Sequence, residues 1–554
     1  MNSGTVERAA GGGAMGNPCK VILLAAALAL VGAGAAAQAQ EPAAAAAAGH
    51  LSGQLAGVSG APVAGLFVTA KAQGSGIETT VYSGPDGHFD IGGLAAGAYT
   101  LTVHHARAET VAQDVAVGPA TKPLTLQVRP AADPLANAPS STWLAGLPDG
   151  AMKKQFLLDC GTCHEMSRSR VMPQGKPRDH AGWVQAIRTM KAIDVYAVIP
   201  PKLETMRYAG WLAQHLDAAG IARLKPPAPA DTATTQGATI TEYPVPKANE
   251  LPHDVAVGPD RRIWITAFWN SQMWAMDPAT GAFDIYEVNN DPKAVAQVRA
   301  LQFDPSGALW MVNGGTKSVV RLDVKTRRFD TYPVGMYAHD LVLDSTGDIW
   351  VNDYFAKAER IAHLSHTDGK VTDFPLPSAG LEPRDGVPLP YGLVVDRKDR
   401  LWSTQLAGNT LVRYDIRSGR SKLYRMPQAN AGPRRTAVGP DGRIWIPEFD
   451  TGRLAVFDPD TERFETFDIG DGDCGPYDVG VDQQSGAVWI AEALGSALVR
   501  FDPKSRRFER YPLPSEPAYM RHLAIDPETG DVWSAYSSLP TVVPKVVRLH
   551  RPVR

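Results

Sequence analysis

From residue 239 onward the chain alternates short apolar runs with polar turns, and the alternation itself recurs. Trp264, Trp310, Trp350, Trp402, Trp445, Trp489 and Trp533 each sit in a short run behind a turn such as Gly258-Pro259-Asp260 or Gly439-Pro440-Asp441-Gly442. Third and fourth runs follow, as in Leu454 to Pro459 and Phe464 to Phe467. Four runs in a period of roughly forty to fifty residues make one propeller blade. The seven tryptophans therefore predict a seven-bladed β-propeller over 239–554. Its closure is also predicted. Ile240 to Pro246 supplies a fourth strand to a last blade that otherwise ends at Val546 to Leu549, which removes two open sheet edges.

Upstream the pattern changes twice. Over 51–130, alternating runs such as Leu66 to Ala70 and Tyr99 to Val103, with the turn Pro85-Asp86-Gly87, predict a small β-sandwich. Over 144–224 the apolar spacing becomes helical. Met152, Phe156 and Leu157 mark one helix, and Trp183, Ile187 and Met190 a second at i, i+4 and i+7. A third begins near Pro201 and carries Met206, Tyr208, Trp211, Leu212 and His215. Segments 40–50, 131–143 and 225–238, rich in Ala, Pro and small residues, read as linkers. The fold class is thus multidomain and mainly β, with a small all-α domain between sandwich and propeller.

Residues 1–39 read as a signal peptide. Lys20 is its positive region, Val21 to Val31 its apolar stretch and Ala37-Gln38-Ala39 its cleavage site. The expectation is a periplasmic or secreted protein with no integral membrane span in the mature chain. A formal net charge of −3 gives no reason to expect nucleic acid as a partner. Of four cysteines, Cys19 leaves with the signal peptide, so no disulfide framework is expected.

Cys160-Gly161-Thr162-Cys163-His164 is the attachment motif of a c-type haem, with Cys160 and Cys163 bonded to the porphyrin and His164 under the iron. A redox CxxC would sit in a βαβ context, and a structural zinc site needs two further soft ligands. The only other cysteines are Cys19 and Cys474. With its helices, the segment resembles a class of monohaem cytochrome c. In that class a methionine seven residues after a helical tryptophan is the distal iron ligand. The matching positions are Trp183 and Met190, and Met172, Met206, His180 and His215 are competitors.

The order Gly60-Ala61-Pro62-Val63, Gly87-His88-Phe89, Leu94, Gly97-Ala98-Tyr99 resembles the carboxypeptidase regulatory-like domain, implying a sandwich with carbohydrate or protein contact as a role. Gly475-Pro476-Tyr477 before Trp489-Ile490-Ala491-Glu492, and Pro390-Tyr391-Gly392-Leu393 before Trp402, resemble virginiamycin B lyase (streptogramin lyase). That resemblance spans the whole propeller. It implies magnesium-dependent opening of a cyclic depsipeptide by elimination at its ester, using histidines just before inner strands and a glutamate three residues after a blade tryptophan.

Mapped onto this chain, the first position gives His253, Arg299, His339, Tyr391, Arg434, Tyr477 and Arg521. The second gives Ala267, Asn313, Asp353, Gln405, Glu448, Glu492 and Tyr536. Imidazole and carboxylate coincide only at His339 and Asp353, with Tyr391 in the next blade, so these three are the candidate catalytic set. Glu448 and Glu492 are candidate ligands for a divalent cation, and the three arginines suit an anionic ligand. Four functions stay open: electron transfer between haem and a redox partner protein or small-molecule substrate; a propeller-site oxidoreductase feeding the haem; a magnesium-dependent lyase; and a glycan- or surface-binding protein.

Overall fold

A computed structural model describes residues 49–552 apart from 62, 162–164, 193–203, 289–296, 356–358, 378–388 and 539–541. The signal-peptide residues, Cys163, His164 and the expected helix start near Pro201 lie outside the described residues.

The N-terminal module has seven strands: β1 (Gly49–Gly57), β2 (Phe67–Ala72), β3 (Glu78–Tyr82), β4 (His88–Leu94), β5 (Gly97–His105), β6 (Ala108–Val117) and β7 (Leu124–Val128). One sheet runs β4-β1-β7 and the other contains β3-β2-β5-β6. Inward positions alternate, and Leu51, Leu55, Phe89, Ile91, Leu101 and Val103 fill the space between the sheets. At the Pro85-Asp86-Gly87 turn, Gly87 has φ +80°, and a Cβ there would lie 2.3 Å from the Leu55 carbonyl oxygen. Only glycine fits.

Among the described residues seven α-helices follow: α1 (Ser140–Leu144), α2 (Ala151–Asp159), α3 (Arg168–Val171), α4 (His180–Ala192), α5 (Thr205–His215), α6 (Ala218–Ile221) and α7 (Thr232–Thr235). Phe156 of α2 packs against Tyr208 and Trp211 of α5, with centroids 5.9 and 5.6 Å apart. The Tyr208 hydroxyl donates to Asp159 at 2.8 Å inside this cluster. Among the described residues, no helix is long and apolar enough to cross a membrane.

The rest of the chain is propeller-like. Antiparallel four-stranded sheets succeed one another along the sequence. Their innermost strands touch in cyclic order and return to Pro252–Val257. The repeated tryptophans lie between neighbouring sheets, and in four of the sheets the polar turn before the tryptophan is bonded to its indole. Trp310, Trp350 and Trp402 donate through Nε1 to Asp304, Asp344 and Asp396 at 2.9, 2.8 and 2.9 Å.

Closure follows the sequence expectation. Strand β8 (Thr239–Pro244) pairs antiparallel with Val542–His550, placing Ile240 opposite Leu549. The other edge of β8 holds a relationship that the sequence reading lacks. It pairs with β3 of the sandwich, Glu78 facing Glu242 and Val81 facing Thr239. One eight-stranded sheet therefore spans both modules. Segment 225–238, expected as a linker, is docked as well. Arg107 donates to the carbonyls of Pro227 and Pro226 at 2.8 and 3.0 Å, and Ala230 donates to Gly65 at 3.0 Å.

Candidate functional site

Register makes equivalent positions recur in every sheet of the ring. Pro252 faces Ala267, Val298 faces Asn313, Ala338 faces Asp353, and Pro390 faces Gln405. Pro433 faces Glu448, Pro476 faces Glu492, and Met520 faces Tyr536. In every case except Pro433 and Val298 the register slips just after the first residue named, and in the Val298 sheet it slips one residue later, after Arg299. Such a bulge re-aims the next side chain. Those next residues are His253, Arg299, His339, Tyr391, Arg434, Tyr477 and Arg521, each at most 3% exposed.

Below this ring is a charged layer. Arg435 contacts Asp254 and lies 3.8 Å from Asp340. His253 Nδ1 donates to Asp254 at 2.6 Å. Burial pushes His253 down to about 3 against the pull of Asp254. Burial also raises Asp340 to about 6, while Arg435 opposes it. These aspartates tie adjacent sheets together: Asp340 accepts from Leu393 N at 3.0 Å and Asp478 from Leu523 N at 2.8 Å.

Above the ring sits the helical segment. Its core residues Trp143, Leu147, Phe156, Leu157 and Trp183 belong to the same apolar cluster as Tyr354, Tyr391, Phe449, Tyr477, Leu494 and Tyr519 of the ring. Polar contacts fix the pose. Ser141 N donates to Leu494 O at 2.9 Å, and Lys153 Nζ binds Asp473 at 2.8 Å. The Tyr519 hydroxyl donates to the Gly161 carbonyl at 2.7 Å. From Tyr519 an aromatic file continues, with centroids 6.0 Å apart to Tyr477 and 5.8 Å on to Tyr391. The Tyr391 and Tyr477 hydroxyls touch, and Arg434 Nη1 donates to Tyr391 Oη at 3.1 Å. Burial holds the Tyr391 phenol well above its ordinary value.

The candidate catalytic set is only partly assembled. His339 and Tyr391 rings lie 3.9 Å apart, and His339 Nδ1 donates to the Tyr391 carbonyl at 3.0 Å. Nδ1 thus carries the hydrogen and Nε2 the lone pair. Burial, then Arg299, holds His339 neutral well below its ordinary value. Asp353 does not serve it. Its Oδ2 accepts from Arg360 Nε at 2.9 Å, because the end of the second strand faces the third strand and not the channel axis. Among the ring residues, the imidazole that hydrogen-bonds a carboxylate is His253, with Asp254.

Glu448 and Glu492 are both fully buried but hold separate partners. Glu448 accepts from Thr451 at 2.9 Å, and Glu492 from Arg510 at 2.7 Å. Burial raises Glu492 to about 7. Neither belongs to a three-ligand group. Among the described residues that grouping is Asp344, Asp348 and His363. Asp344 is the indole-bonded turn residue and Asp348 accepts from His363 and His366, so these acids hold a turn.

In the helical segment Cys160 is partly buried, and Met190 is half-buried on α4, the helix that also carries buried Trp183 and Ile187. Met206, a competitor for the distal position, is 57% exposed. Three site residues escaped the sequence reading: Arg435, Tyr337 and Tyr519. Tyr337 and Tyr519 both stand two residues before a ring residue, and this repeated offset is the signal that could have found them.

Comparison with known proteins agrees with this geometry. A family model described as the virginiamycin B lyase family matches residues 238–541, and one for the carboxypeptidase regulatory-like domain matches 50–129. No curated protein matches the chain. Among solved structures, a streptogramin B lyase is 20% identical with a TM-score of 0.50, over 56% of this chain and 97% of that one. The selenomethionine form of virginiamycin B lyase from Staphylococcus aureus is 19% identical with a TM-score of 0.50, over 57% of this chain and 100% of that one. At such identities the likeness is one of fold. The family model covers more than half of the chain, and the protein belongs to the virginiamycin B lyase family.

Proposed function

We propose that the protein is an exported redox protein carrying one covalent haem c, and that it exchanges electrons with a small molecule or partner protein at the mouth of a seven-bladed propeller. Cys160 and Cys163 would hold the group, with His164 and Met190 as axial ligands, and when bound it would supply one-electron transfer. The observation that carries this reading is the Tyr519–Gly161 hydrogen bond. It seats the residue next to Cys160 on the aromatic file Tyr519, Tyr477, Tyr391, so the attachment turn adjoins the ring where family members position chemistry. One buried donor supports a group bearing carboxylates. The Trp183 indole N–H is buried without an acceptor, on the helix that carries Met190.

Expression in a host that matures c-type haem tests this. The product should be red, stay red through acid–acetone extraction, and lose covalent haem in Cys160→Ser. A weak far-red band in the ferric form should vanish in Met190→Ala. Reduction of the haem on adding a small molecule would assign an oxidoreductase at the propeller, and a colourless wild-type product would end the proposal.

Family membership supports a second reading, a magnesium-assisted lyase with His339 as the base. His339 is neutral with Nε2 unprotonated, and Glu448 Oε1 is buried without a hydrogen-bond partner. Magnesium-dependent linearisation of a cyclic ester, lost in His339→Ala, would identify it. Glycan binding without redox change would instead assign a surface-binding role.

A further inference from the structure

Arg299 is the ring residue whose charge is left unanswered. It is 2% exposed, and its Nε and Nη2 have no hydrogen-bond partner. Those two nitrogens form the side edge of the guanidinium, which presents parallel N–H groups to a planar, two-oxygen acceptor. Its face is occupied: the cation lies 4.3 Å from the Tyr337 ring centroid and 5.6 Å from that of Phe268. The Tyr337 hydroxyl is a second buried polar group without a partner. No ion pair joins Arg299 to a carboxylate among the described residues. A guanidinium keeps its proton when buried, so the site holds a positive charge and a spare hydroxyl donor together in an aromatic wall.

The backbone makes room for this arrangement. A Cβ on Gly314 would lie 2.8 Å from Arg299 Nη2 and 2.8 Å from the Tyr337 ring. Gly314 follows Asn313, the second-position residue of the same sheet, and its φ does not require glycine. The glycine therefore serves space, not turn geometry.

We propose that Arg299 and Tyr337 form a carboxylate-binding site at the propeller mouth, the carboxylate taking the Nε–Nη2 edge bidentately and accepting from Tyr337. This deepens the proposed function by giving the mouth a ligand class. Two sources share that chemistry: a free small-molecule acid and a propionate of the protein's own haem.

Calorimetric titration of the full chain with benzoate, and with benzamide as its neutral counterpart, tests the site. It is run on the haem-loaded protein and on the haem-free Cys160→Ala/Cys163→Ala chain. A free-acid site binds benzoate in both forms. A propionate site binds benzoate only in the haem-free chain, and Arg299→Met then shifts the reduction potential of the loaded protein. In either case Arg299→Lys should weaken benzoate at least about tenfold by losing the bidentate edge, and Gly314→Ala should do the same by displacing the guanidinium. Without ligand, Arg299→Met should melt no lower than wild type, because it deletes an unpaired buried charge; a structural arginine would give a lower melting temperature. Absence of saturable benzoate binding in both forms, or equal binding of benzoate and benzamide, overturns the proposal. Haem content is read separately from its spectrum, so loss of the redox reading and loss of this site are told apart.

Discussion

Tyr519 donates its hydroxyl hydrogen to the carbonyl of Gly161 at 2.7 Å, joining the propeller ring to the residue after Cys160. Both residues are buried, so Tyr519→Phe leaves a carbonyl unsatisfied, a loss of about 1 kcal/mol. Hydrogen exchange read by mass spectrometry should show faster exchange across 156–161. Unchanged protection there would mean that the bond does not hold the turn.

The helical segment is also pinned by Lys153, 5% exposed, which binds Asp473 at 2.8 Å and Asp149 at 3.0 Å. Lys153→Met strands a mostly buried carboxylate and should cost about 3 kcal/mol. Limited proteolysis should then cut within 144–224 before the propeller. Adding Asp473→Leu should restore part of the stability, because the stranded charge goes with it. A double variant as weak as the single one would place the loss elsewhere.

Acid should weaken the ring through His339. The unfolded chain takes up a proton near the ordinary imidazole value of 6.5, whereas burial and Arg299 keep the folded residue neutral well below it. Stability therefore falls as pH drops below about 6.5, by up to about 1.4 kcal/mol per pH unit for this one group. His339→Gln removes that contribution. Urea unfolding of both proteins between about pH 7 and pH 4.5, above most carboxylate values, should show the difference moving in the variant's favour as pH falls. Parallel curves would show that His339 is protonated in the fold.

Removing the sandwich should harm the propeller. Without β3, strand β8 presents an open edge, and Lys545 loses Glu78, bound at 2.7 Å, while keeping Glu242 at 3.0 Å. A chain beginning at residue 131 should melt lower and associate with itself in light scattering. A monomer melting like the full protein would make the sandwich a passive appendage.

The propeller is legible in the sequence because its determinants are local. In four sheets a turn acid bonds its own tryptophan a few residues on, and strand alternation repeats at a fixed period. Closure by Ile240 to Pro246 is readable because a strand missing from one end appears at the other. The β3–β8 pairing is not readable, since each strand alone looks like an ordinary edge and only their juxtaposition makes a ladder. The ring positions follow from offset, but side-chain direction does not. Asp353 turns to Arg360 on the neighbouring strand, and Arg435 enters the channel layer where the short strand Ala437–Val438 starts late. The seat of the helical segment on the ring depends on surface complementarity, which no single-residue pattern encodes.

The continuous sheet also sets an order of assembly. Glu78 and its partner Lys545 are 467 positions apart, so the edge of β3 emerges during synthesis long before the strand that completes the array. Once β8 has joined β3, its other edge must wait uncovered, exposed to pairing with a second copy, until residues 542–550 arrive. Slow translation or scarce chaperone capacity should therefore lower the yield of this protein more than that of either module made alone.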